Sequence, residues 1–209
     1  MKKPLIFLLV FSLLTISACS LKPAEKKTDT KGNPSLVNQN SQSKGPDLPQ
    51  TVNNESRLVA KDAFSLEAPA NWKESPAMMP GISLMMINST EKNDRPEVKK
   101  INFRSYFSVS YDTLKENTLE QYIVILKEKL SRTITGIRFQ DLEPTIIDGR
   151  PAKVFSADLN QQGVDFKILM FVAEGNNKDV WMIPFNTLPE DLSGYNDLFY
   201  KIATSFRIK

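Results

Sequence analysis

Oxygen-bearing side chains recur on alternate residues in Asp158-x-Asn160-x-Gln162-Gly163-x-Asp165, the spacing with which a calcium loop presents its ligands, and a glycine stands sixth, where that loop turns. The twelfth position is Leu169, where the loop needs a bidentate Glu, and the flanking residues alternate like strands where helices are required. A polar hairpin is expected. Asp141 and Glu143 stand two apart, so a strand would put both carboxyls on one face, either as an acid–base pair or as a solvated edge. The edge is the simpler reading. The sequence has no histidine, which removes the commonest general base, the usual metal ligand and the physiological-pH switch together. It also contains no Gly-x-Ser-x-Gly elbow, phosphate-cradling glycine loop or metalloprotease motif. No catalytic, cofactor-binding or metal-ligating residue is assigned.

Cys19 is the only cysteine, so no disulfide, thiolate metal site or catalytic thiol is expected after it. It follows a charged start (Lys2, Lys3), an apolar run from Pro4 to Ile16, and the small residues Ser17 and Ala18. These are the three parts of a signal peptide over residues 1–18, and the run is shorter than the roughly 20 residues that cross a bilayer core. Ile16-Ser17-Ala18-Cys19 resembles the lipobox of bacterial lipoproteins. The resemblance implies lipidation of the Cys19 thiol, cleavage before it and acylation of the new amino terminus, for example with palmitate. Two or more fatty chains anchor stably where one does not. Ser20, in place of Asp, implies by the same resemblance the periplasmic face of the outer membrane in a Gram-negative cell.

Residues 19–57 form the next segment. Ser20 to Arg57 consists mainly of Lys, Asn, Gln, Ser, Thr, Pro and Gly, with no aromatic residue, and cannot bury enough apolar surface to offset the entropy of ordering. It is expected to be a disordered linker. The globular domain is then 58–209, large enough for one core. Eight of the 27 Lys and Arg residues and four of the 24 Asp and Glu residues lie at or before Arg57, which leaves the domain close to neutral. Binding to nucleic acid rests on many phosphate contacts, and a balanced domain lacks the charge for them.

The elements that would position any site follow from periodicity. Arg57–Ala60 and Ala63–Ala68 read as two strands around Lys61-Asp62, and the apolar run Ile82–Asn88 as a buried strand. Ile101, Phe103, Ser105, Phe107, Val109 and Tyr111 alternate with polar residues, which predicts one long strand over 101–111. Glu91–Lys100 is expected to be a solvated, charged connection. Thr118 and Gln121 have capping-box spacing ahead of a stripe of Leu119, Tyr122, Ile123, Leu126 and Leu130, a helix. Four strands follow (137–147, 152–159, 164–173, 180–185), separated by Asp148-Gly149-Arg150-Pro151, Asn160–Gly163 and Gly175-Asn176-Asn177. A closing amphipathic helix carries Leu192, Tyr195, Leu198, Phe199, Ile202, Ala203 and Phe206. The fold class is α+β: an antiparallel sheet with helices packed on it, an α/β/α sandwich.

Phe64-Ser65-Leu66-Glu67-Ala68-Pro69-Ala70-Asn71-Trp72 resembles the opening of the PsbP-like superfamily, and the element order through Thr204-Ser205-Phe206 is similar to it. That group includes the lumenal photosystem protein PsbP, the Ran-release factors and DcrB-type bacterial lipoproteins. The resemblance implies a scaffold more than a chemistry. Trp72 is expected to anchor the core, with a ligand-stacking platform as the other reading. Met85 and Met86 are expected as core fillers and Met78 and Met79 as loop residues, the alternative being a methionine-rich surface for adaptable binding or soft metal ions.

The functional expectation is a non-catalytic, lipid-anchored envelope lipoprotein that serves as an accessory module, with no cofactor, no nucleic acid and an envelope protein partner. Two alternatives stay open: a small-ligand-binding lipoprotein using a cleft between sheet and helix, with Trp72 and Trp181 as reporters, and a hydrolase with an unmarked Ser or carboxylate site.

Overall fold

The computed structural model describes residues 55–76 and 80–209. Ser56 and Arg57, grouped with the linker by composition, open β1 (Ser56–Ala60), which pairs antiparallel with β2 (Phe64–Pro69). β3 (Trp72–Glu74), β4 (Ile82–Asn88), α1 (Pro96–Ile101), β5 (Tyr106–Thr113) and α2 (Leu119–Thr133) follow, then the meander β6 (Arg138–Ile147), β7 (Arg150–Gln161), β8 (Val164–Glu174) and β9 (Asp179–Thr187). A 3-10 turn at Pro189–Asp191 leads into α3 (Leu192–Thr204), and β10 (Arg207–Ile208) closes against β2. The strands form a seven-stranded sheet ordered β3-β4-β5-β9-β8-β7-β6 and a three-stranded sheet ordered β1-β2-β10. Every strand pairing is antiparallel.

Strand alternation gives the large sheet two apolar faces and so two cores. Met85, Tyr106, Phe155, Met170 and Met182 face α1 and α2. Met86, Phe107, Val154, Phe171 and Phe185, at the opposite parity in the same strands, face α3 and the small sheet. Trp72, Phe64, Phe199 and Phe206 fill this second core, and the rings of Phe185 and Phe199 stack at 4.6 Å. The result is a layered α+β domain with antiparallel sheets and helices on both sides of the larger one.

Local chemistry fixes the connections. Asp148-Gly149 and Gln162-Gly163 each hold two residues at positive φ (51° and 73°, 53° and 79°), the backbone of the two-residue turn whose twist matches a hairpin. At the start of α2, Thr118 Oγ1 accepts from Gln121 N at 3.2 Å and Gln121 Oε1 from Thr118 N at 2.9 Å. This reciprocal cap satisfies two donors that the first turn would otherwise leave bare.

The long strand expected over 101–111 begins only at Tyr106, and part of the connection expected over Glu91–Lys100 is helical. Pro96 suits a first helical turn because its missing N–H has no intrahelical acceptor there. Val98 is fully buried and pins the helix to the first core, and Asn102, left-handed at φ 50°, ends it.

Candidate functional site

The C-terminal ends of β4 and β9 and the residues leading into β5 converge, and polar side chains meet there beneath the start of α3. Asn88 ends β4, Ser105 directly precedes β5, and Thr187 ends β9; all three are buried. Ser105 donates its backbone N–H and its hydroxyl to the two oxygens of Glu91, the hydroxyl at 2.9 Å. The Ser105 and Thr187 hydroxyls are also 2.9 Å apart. Since the Ser105 proton is given to Glu91, Thr187 must be the donor in that second bond. Asn88 Oδ1 accepts from Thr90 N (3.1 Å) and Thr90 Oγ1 (2.9 Å), while its Nδ2 donates to the Tyr195 hydroxyl at 2.8 Å. Arg104 donates to the Ser89 carbonyl at 3.1 Å, and Arg95 reaches Glu190 at 2.7 Å.

Neither arginine forms an ion pair with Glu91, and no other described residue does; Arg104 acts on it through its charge alone. Burial pushes the Glu91 carboxyl above the ordinary glutamate range; the two bonds from Ser105 pull it back, the charge of Asp191 adds to the rise, and the charge of Arg104 opposes it. Asp191 is raised by burial and then by Glu190, with Arg95 opposing. Tyr195 is pushed up to about 12, first by burial and then by the charge of Glu91. The Ser105 hydroxyl is sealed from solvent, so it positions Glu91 and meets no substrate. The chemistry available here is the gain and loss of a proton.

None of these residues stood out by spacing. The usable signal was Ser105, a polar residue in register with Ile101, Phe103, Phe107 and Val109, whose burial would require a partner. The residues singled out from the sequence lie apart from one another. In the β7–β8 hairpin Asn160 Nδ2 donates to Asp165 Oδ1 at 2.7 Å and Lys167 holds Asp158 at 2.9 Å, so these oxygens serve each other and a lysine. Asp141 pairs with Lys127, whose ammonium lies 4.8 Å from the Phe155 ring centre, and Glu143 sits in the irregular stretch between Leu142 and Thr145. Trp72 is a core anchor packed on Phe107, Tyr195 and Phe199, and Met85 and Met86 are buried on opposite faces of the sheet. Trp181 is buried, with the Tyr111 ring tilted against it at 5.6 Å between centroids. Cys19, Met78 and Met79 lie outside the described residues.

No family model matches the chain. No curated protein matches it either. Solved structures do. The solution structure of cyanobacterial PsbP (CyanoP) from Synechocystis is similar with a TM-score of 0.52 and 15% identity, over 74% of this chain and 92% of that one. A Mog1 mutant structure is similar with a TM-score of 0.50 and 12% identity, over 74% and 96%. LpqN, described as involved in cell envelope biogenesis of Mycobacterium tuberculosis, aligns with a TM-score of 0.49 and 12% identity, over 74% and 91%. The extent of the first two alignments, with the layered antiparallel sheet above, establishes that this chain has the PsbP-like fold.

Proposed function

We propose that the chain is a bacterial envelope lipoprotein whose domain acts as a non-catalytic accessory module for an envelope protein complex. In this reading residues 1–18 are a signal peptide, residues 19–57 the lipidated Cys19 and its linker, and 58–209 the working domain. The observation that carries it is Ile16-Ser17-Ala18-Cys19 at the end of the apolar run, followed by a polar linker and a domain built on a scaffold that hosts varied functions. No helix among the described residues is long and apolar enough to cross a membrane. In this reading the lipid on Cys19 is the anchor. Ser20 favours the periplasmic face of an outer membrane. For a partner, the exposed Tyr111 ring, tilted at 41° against Trp181, offers an amphipathic contact held in place at low entropic cost. A photo-crosslinker at Tyr111 in the anchored protein should capture one protein reproducibly, and the same group at Lys129 should not. Equal capture from both positions, or turnover of an envelope substrate that a single point mutation abolishes, would contradict the reading.

A second reading, a small-ligand lipoprotein, is favoured by Ser108 and Ser110. Both hydroxyls are buried on the α2 side of the sheet, beside Met85 and Met182, with no hydrogen-bond partner among the described residues. Bare buried hydroxyls cost stability unless something accepts from them. Double substitution to Ala should leave stability unchanged or raise it if the sites are empty, and should abolish ligand-induced thermal shifts if they are filled.

A further inference from the structure

The connection from β4 to α1 is held to the body by side chains. Asn71 reaches Thr90 at 2.9 Å, Arg104 reaches the Ser89 carbonyl, and Arg95 crosses to Glu190 ahead of α3. Between these ties, Glu91 alone inserts a carboxyl among the strand ends and takes both donors of Ser105. The charged and titratable groups around it come from four places: Lys92, Asp94 and Arg95 on its own connection, Arg104 ahead of β5, Glu190 and Asp191 in the 3-10 turn, and Tyr195 on α3. Asp94 is occupied with Lys99 at 2.9 Å, Arg95 with Glu190, and Arg104 with a carbonyl. The charges that act on Glu91 are Asp191, which disfavours its ionised form, and Arg104, whose guanidinium opposes that effect from its place on the Ser89 carbonyl; the Tyr195 phenol lies with them.

We propose that Glu91 is a proton-operated latch: protonated, it clamps the β4–α1 connection onto Ser105 and the start of α3, and ionised, it loosens that clamp. The network accepts either form. Ionised, both Glu91 oxygens accept from Ser105. Protonated, one oxygen still accepts the Ser105 N–H while the carboxyl O–H donates to Ser105 Oγ, which then donates to Thr187, reversing the chain of hydroxyls without breaking it. Burial and Asp191 penalise the ionised form and outweigh the two Ser105 bonds and the Arg104 charge, which favour it, so the carboxyl is raised. A folded-state carboxyl raised above its unfolded value holds its proton more tightly when the latch is closed, so closure and protonation favour each other. The contribution is complete below the ordinary glutamate value of about 4.3 and is lost as pH rises through the higher folded value. This concerns the domain itself and stands whether or not Cys19 carries lipid.

The test is amide exchange on the full chain in detergent between pH 4.5 and 7.5, corrected for intrinsic rates. The protection of the Ser105 amide should fall as pH rises, by about tenfold for each unit by which folding raises the Glu91 carboxyl. Glu91→Gln, an isosteric stand-in for the protonated form, should remove the pH dependence and keep the high protection. Should that variant fold poorly, the carbon-13 shift of the Glu91 carboxyl in the unaltered chain gives a second reading, with a midpoint above the ordinary glutamate value expected. Constant Ser105 protection across the range, unchanged pH dependence in Glu91→Gln, or a midpoint at or below the ordinary value would overturn the proposal.

Discussion

Ser105 gives both of its donors, backbone and side chain, to the single carboxyl group of Glu91. A buried serine at a strand entrance thereby fixes a connection that reads as solvent-facing charge, and it couples that connection through Thr187 to the end of β9.

Ser105→Ala should destabilise the domain by about 1–3 kcal/mol, the cost of stranding a buried acceptor and donor. It removes the hydroxyl that Glu91 accepts and leaves the Thr187 hydroxyl without its partner. Urea denaturation at neutral pH measures this. Thr187→Val should recover part of the loss in the double variant, since it removes the stranded hydroxyl.

Gly175 is set by Trp181. A Cβ at residue 175 would stand 2.7 Å from Trp181 Nε1 and 2.8 Å from Cδ1, closer than such atoms approach. Gly175→Ala should cost about 1–3 kcal/mol as overpacking. Trp181→Phe removes the clashing edge but leaves Asp179 Cβ at 3.0 Å, so it should reduce the cost of the Ala substitution without abolishing it, a double-mutant coupling of at least about 0.5 kcal/mol. Additive effects would contradict the clash.

Trp72→Ala should cost about 3–5 kcal/mol, because the ring is buried between Phe107, Tyr195 and Phe199 and the surrounding aromatics cannot collapse into its volume. Thermal unfolding checks this, and a ligand-stacking role would instead show as lost binding with stability intact.

Thr118→Ala removes one half of the reciprocal cap on α2 and should cost about 1 kcal/mol. Thr118→Ser should be close to neutral, since it keeps the accepting oxygen, and near-equal losses for the two variants would place the effect in the threonine methyl.

Local signals were the most legible. The capping box at Thr118 and Gln121, the stripe on α2 and the hairpin turns at Asp148-Gly149 and Gln162-Gly163 each declare themselves within a few residues. The error over 101–111 has a physical cause. Ile101 and Phe103 share parity with Phe107 and Val109, so period two ran backwards into a six-residue helix, too short to show its own period and held mainly by the burial of Val98. β10 escapes a sequence reading because its two residues are a strand only by pairing with β2. The Glu91 cluster draws on residues 88, 91, 105, 187, 191 and 195, so its existence depends on which strand ends the topology brings side by side, and only the buried parity of Ser105 hinted at it.

The central claim is that Cys19 becomes the lipid-bearing amino terminus of an anchored domain, and the intact mass of the mature protein tests it most directly. The full chain, expressed in a bacterium and recovered from the membrane fraction, should begin at Cys19 and carry the added mass of a diacylglyceryl group and one further acyl chain. Cys19→Ala should abolish both the cleavage and the lipid. A mature chain that retains residues 1–18, or begins at an unmodified Cys19 and stays out of the membrane fraction, would contradict the account.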